Sequence, residues 1–251
     1  MPHSERIGLH SGCALLGRRG FLRISTSATA IGLLGGALRI DRAFADALTR
    51  EQRDALTPDA ILAGLKQGNE RFRAGKPTSR NYLKEQQTSA SGQYPSTVIL
   101  SCVDSRAPAE VIMDLGIGEV FNCRVAGNIA DEDILGSMEF ACKLAGAKVV
   151  MVMGHTACGA IKGAIDNAEL GNLTGLLAKI KPAVAATEYA GEKTSKNYAF
   201  VDAVARKNVE LTMADIRKNS PVLAGLESSG TIKIAGAMYN LQNGVVDFFG
   251  G

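Results

Sequence analysis

The chain has 251 residues, of which 46% are hydrophobic and 21% charged, so it is long enough to bury one core and fits a single folded domain. The formal net charge of +3 is unevenly placed. Residues 1–45 hold six basic and two acidic residues, so the rest of the chain carries 22 basic and 23 acidic residues. A domain without a basic excess gives no argument for a nucleic-acid partner, and we predict none.

Residues 1–45 have the order of an export signal. Twin arginines in residues 18–23 (RRGFLR) precede an uncharged stretch at 24–38 and the small residues at 43–45 (AFA). The twin arginines followed by Phe-Leu-Arg resemble a Tat signal, with Gly17 where that pattern usually has Ser or Thr. The uncharged stretch is too short for a bilayer span, although an amino-terminal anchor helix is an alternative. We therefore predict cleavage near residue 45, a periplasmic location and no stable membrane insertion of the mature chain.

Residues 46–95 are predicted to form the amino-terminal part of the folded domain, a helix followed by an arm. Thr57 can cap a helix that has Pro58 in its first turn, and apolar residues then recur at helical spacing until Gly75-Lys76-Pro77. Residues 77–95 are rich in Ser, Thr and Gln, which leaves little to bury. We therefore predict an extended polar arm there.

Residues 96–251 alternate apolar runs with helical patterns. This alternation predicts an α/β fold with a central, mainly parallel sheet of about four strands plus a short carboxyl-terminal strand, flanked by helices. The predicted strands cover residues 97–101, 119–123, 148–153, 231–239 and 244–249. The predicted helices cover residues 109–114, 131–144, 158–168, 173–189 and 197–218, and Pro221 closes the last of them.

Two of the predicted strands end in residues that can bind a metal ion. Cys102 follows the first strand, and the third strand leads into His155 and Cys158. The carboxyl ends of strands are where open α/β sheets build their sites. Two thiolates and one imidazole suit zinc and leave a fourth position for water, so we predict a zinc site. In an exported protein two disulfides are the alternative, and Cys123 and Cys142 fit buried apolar positions better than ligand positions.

The sequence around these residues resembles the β-class carbonic anhydrases. Residues 102–110 (CVDSRAPAE) are similar to the first motif of that family and residues 154–159 (GHTACG) to its second. Residues 124–128 (RVAGN) and 236–239 (GAMY) also match, and the resemblance spans roughly residues 58–249. It implies an enzyme that interconverts CO2 and bicarbonate on one Zn2+ per chain, held by Cys102, His155 and Cys158. It also implies an obligate homodimer whose amino-terminal helix packs on the partner, and leaves open whether dimers pair into tetramers.

The resemblance implies roles for residues beside the zinc ligands. Asp104 would accept the proton of zinc-bound hydroxide and so orient a lone pair toward CO2, while Arg106 would pair with Asp104 and keep its carboxylate off the fourth zinc position. A local turn salt bridge is the other interpretation of this pair. Gln93 stands where the resembling enzymes carry an amide that donates to the substrate oxygen, and an exposed surface residue is the other interpretation.

One departure from the family pattern concerns inhibition. Some bacterial members carry a Trp three residues before the first zinc Cys, as part of a bicarbonate inhibition pocket with an Arg and a Tyr. Here that position is Ile99, and the chain has no Trp, although Arg124 matches the Arg position. We therefore predict no such pocket and a water-bound zinc at neutral pH.

The route of the released proton is a second expectation from the sequence. His155 is the only histidine after residue 45. If it is a zinc ligand, no second imidazole remains to carry the proton out of the site. We therefore predict turnover that depends on buffer, or on a Tyr or carboxylate relay.

Two other functions fit parts of the pattern. The first is a hydrolase that uses the same zinc site on carbonyl sulfide or carbon disulfide. The second is a protein without enzymatic activity, either a zinc- or bicarbonate-binding protein or a thiol redox protein using Cys102 and Cys158. The Asp104 and Arg106 pair argues against the second class, because a closed structural site or a disulfide has no use for it.

Overall fold

The computed structural model describes residues 47–250, so the predicted export signal at 1–45 lies outside the described residues. The strands are β1 (Thr97–Ser101), β2 (Val120–Arg124), β3 (Val149–His155), β4 (Lys233–Tyr239) and β5 (Val246–Phe249). The helices are α1 (Arg50–Ala55), α2 (Pro58–Arg73), α3 (Tyr82–Ser89), α4 (Ala109–Ile112), α5 (Glu132–Glu139), α6 (Gly159–Ile165), α7 (Gly171–Ala186), α8 (Tyr198–Asn219) and α9 (Pro221–Ser228). A 3-10 turn covers Ala126–Asn128, and a π-helical turn at Phe140–Leu144 extends α5. None of the helices within 47–250 is both long and apolar enough to cross a membrane.

The five strands form one sheet in the order β2-β1-β3-β4-β5. The first four strands of this order are parallel and β5 is antiparallel to β4, which confirms the predicted α/β architecture. The central strands β1 and β3 are buried along their whole length, as their continuous apolar runs require. Ser101 of β1 lies opposite Met153 of β3, so the two chain segments that follow leave the sheet at the same edge.

The two faces of the sheet bury separate apolar clusters. Side chains alternate between the faces along a strand, so Leu100 packs toward α5 to α9 while its neighbour Ile99 packs toward α2 and α4. Both side chains are fully buried. Each such side chain stabilises the fold by about 1.5–3 kcal/mol, and together they hold β1 and β3 rigidly at the edge where the functional residues emerge.

The prediction of an extended arm at residues 77–95 is wrong in its central part, which forms α3. Asn81 caps this helix through its side-chain oxygen. Glu85 is only 1% exposed, forms an ion pair with Arg80 at 3.3 Å and accepts a hydrogen bond from the Ile117 amide at 3.0 Å. The polar composition of residues 77–95 predicts that they are exposed to water. A charged side chain can nevertheless be buried when other residues of the fold supply its partners.

Two further helices are absent from the prediction. Pro221 begins a new helix, α9, since a proline fits the first turn of a helix, and Ser220 caps this helix by accepting a hydrogen bond from the Leu223 amide at 3.1 Å. The short helix α1 was not predicted. It begins with a capping box in which Thr49 and Gln52 exchange side-chain and backbone hydrogen bonds.

Candidate metal centre

The structure brings together the three residues predicted to hold zinc. The Sγ atoms of Cys102 and Cys158 and a ring nitrogen of His155 all lie within 4.8 Å of one another, and the two sulfurs are 4.0 Å apart. All three residues are at most 3% exposed. Both cysteines are free thiols, so the disulfide alternative does not describe this arrangement.

The imidazole of His155 has one nitrogen available to bind a metal ion. Nδ1 lies 2.9 Å from the carbonyl oxygen of Thr156 and donates to it, which assigns the proton to Nδ1 and leaves a lone pair on Nε2. Nε2 is buried and has no hydrogen-bond partner among residues 47–250. A buried polar atom without a partner is costly. A metal ion bound by Nε2 and the two sulfurs would satisfy it, and this donor set suits zinc.

The surroundings of the two sulfurs also favour the binding of a metal ion. With a proton between them, the hydrogen bond from Cys158 lowers the pKa of Cys102 to about 4, and the same bond together with burial raises the pKa of Cys158. The Gly127 amide donates to Cys102 Sγ at 3.4 Å, and the amides of Ala160 and Ile161 favour the Cys158 thiolate at the start of α6. A divalent ion in place of the proton allows both sulfurs to be thiolates.

Asp104 and Arg106 form a bidentate pair beside this cluster. Arg106 donates its Nε and its backbone amide to Oδ1 at 2.9 Å and Nη2 to Oδ2 at 2.7 Å. The guanidinium holds the pKa of the Asp104 carboxyl well below its usual range. The Oδ2 atom is 3.8 Å from Nε2 of His155. Asp104 is therefore an ionised acceptor at the edge of the metal position, with its orientation fixed by Arg106.

Arg124, at the end of β2, holds the loop that carries Cys102 and Asp104. Its Nε donates to the carbonyl oxygen of Cys102 at 2.8 Å, and its Nη2 donates to that of Asp104 at 2.6 Å. The sequence indicated Arg124 only as part of a motif match and not as the support of this loop. Ile99, three residues before Cys102, stands where the bicarbonate inhibition pocket would need a Trp. It is fully buried in the sheet face toward α2 and α4.

Two side chains of helix α8 form hydrogen bonds with the backbone of the turns at the site. Neither residue was predicted from the sequence. Asp202 accepts a hydrogen bond from the Ala157 amide at 2.8 Å, inside the turn between His155 and Cys158, where Ala157 has a φ of 54°. Burial raises the pKa of Asp202. Asn208 donates to the Gly127 carbonyl at 2.7 Å. The one available signal was that Asn208 is a polar residue on the mainly apolar buried face of the helix.

Gln93 is not close to the metal centre within this chain. It is exposed and lies four residues before β1, whereas Cys102 follows the opposite end of that strand. A five-residue strand separates its two ends by about 16 Å. The ring of the next residue, Tyr94, lies under Arg50 of α1 at 5.4 Å. The role of Gln93 in substrate binding remains a prediction.

Cys123 and Cys142 lie outside the metal centre. They are 9% and 4% exposed and belong to the apolar cluster under α5 to α9, as predicted. Burial raises the pKa of Cys142 to about 12. Both side chains are therefore neutral apolar groups of the core.

Comparison with known proteins places this geometry in a family. A family model described as carbonic anhydrase matches residues 97–246. Carbonic anhydrase 2 of Mycobacterium tuberculosis is 33% identical over 189 residues, which are 74% of this chain and 90% of that protein. The fold is similar to the β-carbonic anhydrase CafA of Aspergillus fumigatus, with a TM-score of 0.58, 25% identity, and coverage of 76% of this chain and 89% of that one. It is also similar to a tetrameric β-carbonic anhydrase of Sordaria macrospora, with a TM-score of 0.58, 23% identity, and coverage of 77% and 98%. The chain belongs to the carbonic anhydrase family, in its β class.

Proposed function

We propose that this protein catalyses the zinc-dependent, reversible hydration of CO2 to bicarbonate and a proton. The observation that carries this proposal is the buried cluster of Cys102, His155 and Cys158 beside an aspartate fixed by Arg106. Structural zinc sites in proteins have four protein ligands, whereas three ligands leave a position open for chemistry. Membership in the carbonic anhydrase family and the three-ligand cluster both support CO2 hydration as the reaction.

The residues around the cluster divide the work of this reaction. Zinc held by the two sulfurs and His155 would supply a Lewis acid that makes water a nucleophile near neutral pH. Asp104 is ionised and accepts a hydrogen bond from the attacking water, which turns a lone pair of that water toward CO2. Arg106 holds both carboxylate oxygens, so Asp104 keeps its orientation and does not move onto the metal position. Arg124 fixes the loop on which Asp104 lies.

The proton must leave without the help of His155. Its Nδ1 is engaged by the Thr156 carbonyl and its Nε2 faces the metal position, so neither nitrogen is free to carry a proton. Asp202, the half-buried acid of α8, is bonded to the Ala157 amide. We expect turnover at neutral pH to rise with the concentration of an imidazole buffer, and a rate independent of buffer would contradict this expectation.

We propose that the working enzyme is a homodimer, with the pairing of dimers into a tetramer as a further step. Val103, between Cys102 and Asp104, and Val111 of α4 are both 55% exposed, and burial against a second subunit would remove their apolar surface from water. A tetrameric relative in Sordaria macrospora supports assembly. Since Gln93 lies at the far end of β1, it would act on substrate from a second subunit.

Subunit mixing tests this arrangement. A Gln93→Ala chain and a Cys102→Ala chain are each expected to have low activity, and a co-expressed mixture is expected to recover part of it, because one kind of mixed site has both residues intact. Full activity of Gln93→Ala alone would remove Gln93 from the mechanism. A fully active enzyme that is monomeric in solution would refute the proposal that the working enzyme is a homodimer.

We also propose that residues 1–45 direct Tat-dependent export to the periplasm. The support is the sequence of this segment, in which Arg18 and Arg19 precede an uncharged stretch and a small-residue cleavage site. Replacing both arginines by lysine is expected to keep the protein in the cytoplasm. The amino-terminal sequence of the exported protein would give the cleavage site.

The decisive experiment measures CO2 hydration by residues 46–251 in a stopped-flow assay, together with the zinc content. Cys158→Ala is expected to lose zinc and activity, and Asp104→Ala to keep zinc and lose activity. Cys142→Ala is the matched control, since Cys142 is equally buried but outside the cluster. Full activity of Cys158→Ala would end the proposal. Carbonyl sulfide and carbon disulfide as substrates test the hydrolase alternative, and the absence of stoichiometric zinc would favour a thiol redox protein.

A further inference from the structure

Two hydrogen bonds connect a buried amide of α8 to a sulfur of the metal centre. Asn208 Nδ2 donates to the Gly127 carbonyl at 2.7 Å, and the Gly127 amide donates to Cys102 Sγ at 3.4 Å. We propose that Asn208 is a positioning residue for the Cys102 thiolate, which it reaches through the backbone of Gly127. This inference rests on the proposed zinc site and adds a residue that determines how that site binds its metal ion.

The Gly127 backbone needs support from outside its own turn. Its φ is 71°, in the left-handed region, and a Cβ at this position would lie 2.5 Å from the Ile180 side chain. Both observations favour glycine at this position, and glycine leaves the backbone its greatest freedom. The Asn208 hydrogen bond fixes the carbonyl of this residue and therefore the direction of its N–H group toward the sulfur.

The position of Asn208 on α8 argues that its amide has a specific role. It is 3% exposed, and Val204, Ala205 and Val209 around it are buried apolar residues. An amide in such surroundings costs free energy unless it is hydrogen-bonded, and an apolar residue would pack there without that cost. The bond to Gly127 offsets the cost of burial, and its effect reaches the metal centre.

The hydrogen bond to the thiolate has a measurable electronic effect. An N–H donor withdraws electron density from the sulfur, so its loss makes the thiolate a stronger donor and lowers the energy of a thiolate-to-metal charge-transfer transition. The loss of the bond also frees the sulfur to move away from the metal position, and we expect this to weaken metal binding more than the stronger donor strengthens it. Partners in the shell around metal ligands typically change metal affinity about 10- to 100-fold when they are removed.

The test compares Asn208→Leu and Asn208→Ser with Thr212→Val. Thr212 is 4% exposed and lies one turn further along the same buried face, so its variant disturbs α8 without touching Gly127. Zinc affinity is measured with a competing chelator, and the charge-transfer band is recorded after substitution with Co2+. For both Asn208 variants we expect zinc affinity to fall at least about 10-fold. We expect their cobalt band to shift to longer wavelength, and Thr212→Val to match the unmodified protein in both measurements.

Each outcome decides the inference. Unchanged zinc affinity and an unchanged cobalt band in a folded Asn208 variant would overturn it while leaving the proposed function intact. If the unmodified protein binds neither metal, the proposed function falls as well. If neither Asn208 variant folds, the unmodified protein loaded with 113Cd decides by NMR. Scalar couplings across both hydrogen bonds, from the metal to the Gly127 amide proton and from Asn208 Nδ2 to the Gly127 carbonyl carbon, support the connection, and the absence of either overturns it.

Discussion

Replacing Arg124 by methionine tests whether one side chain holds the loop of the metal centre. Methionine keeps most of the length of the side chain and removes the donors that bond the carbonyl oxygens of Cys102 and Asp104 at 2.8 and 2.6 Å. These two residues are a proposed zinc ligand and the proposed water acceptor. The change should therefore affect stability, metal binding and activity together.

The magnitude follows from the two lost hydrogen bonds. Hydrogen bonds from a charged group contribute about 1.5–3 kcal/mol each, or about 3–6 kcal/mol for the pair. Arg124 is partly exposed, so water replaces part of this interaction. We expect the free energy of unfolding to fall by about 3 kcal/mol, which corresponds to a decrease in Tm of about 6–12 °C for a domain of this size.

The assay is thermal unfolding with and without added zinc, combined with a zinc competition titration. We expect zinc affinity to fall about 10-fold, because the sulfur of Cys102 loses its fixed position. Arg124→Lys should give a partial effect, since one ammonium lacks the fork that reaches both carbonyls. Arg217→Met is the control, because Arg217 pairs with Glu227 away from the metal centre, and its loss should lower Tm without changing zinc affinity. If Arg124→Met keeps both Tm and zinc affinity, this reasoning is wrong.

Two other substitutions separate activity from stability. Arg106→Met should keep its zinc but lower kcat by about 100-fold in a stopped-flow assay, because the carboxylate of Asp104 is no longer held in place. The free energy of unfolding should change by less than about 1 kcal/mol, since the Arg106 side chain is 57% exposed. An unchanged kcat would contradict the role of this pair. Asp114→Asn should lower Tm more at pH 7 than at pH 3. Burial alone would raise the pKa of Asp114, yet hydrogen bonds from Thr78 and Arg71 outweigh it and lower that pKa. The stabilisation is therefore present above the unfolded-state pKa of about 4 and is lost as the pH falls through the folded-state value. Equal Tm differences at both pH values would refute this assignment.

The ligand set and the pair beside it could be predicted from the sequence because their signals are local. Apolar runs predict β1 and β3, and the candidate metal ligands lie at the ends of these strands or just after them. Asp104 and Arg106 are two positions apart, so their pairing needs only the turn between them. The parallel arrangement then places the two strand ends at one edge of the sheet, and the three ligands meet there.

The support of the site could not be predicted in this way. Asn208 is 81 residues from Gly127, and Asp202 is 45 residues from Ala157, so nothing in local periodicity connects them. The same holds for the buried carboxylate of Glu85, which accepts a hydrogen bond from the Ile117 amide 32 residues away. A polar residue in a sequence is equally compatible with water and with a distant hydrogen-bond partner.

The sequence by itself determined the family, the strands, and the candidate metal ligands, since each is encoded by a short run whose spacing is fixed by its own backbone geometry. Only the tertiary structure decided how these residues are held. Packing α8 behind the two strand ends brings Asn208 and Asp202 to the turns of the metal centre, and β2 brings Arg124 to the loop of Cys102. The physical reason is that the free energy of a buried polar group depends on its partner, and that partner is chosen by the fold.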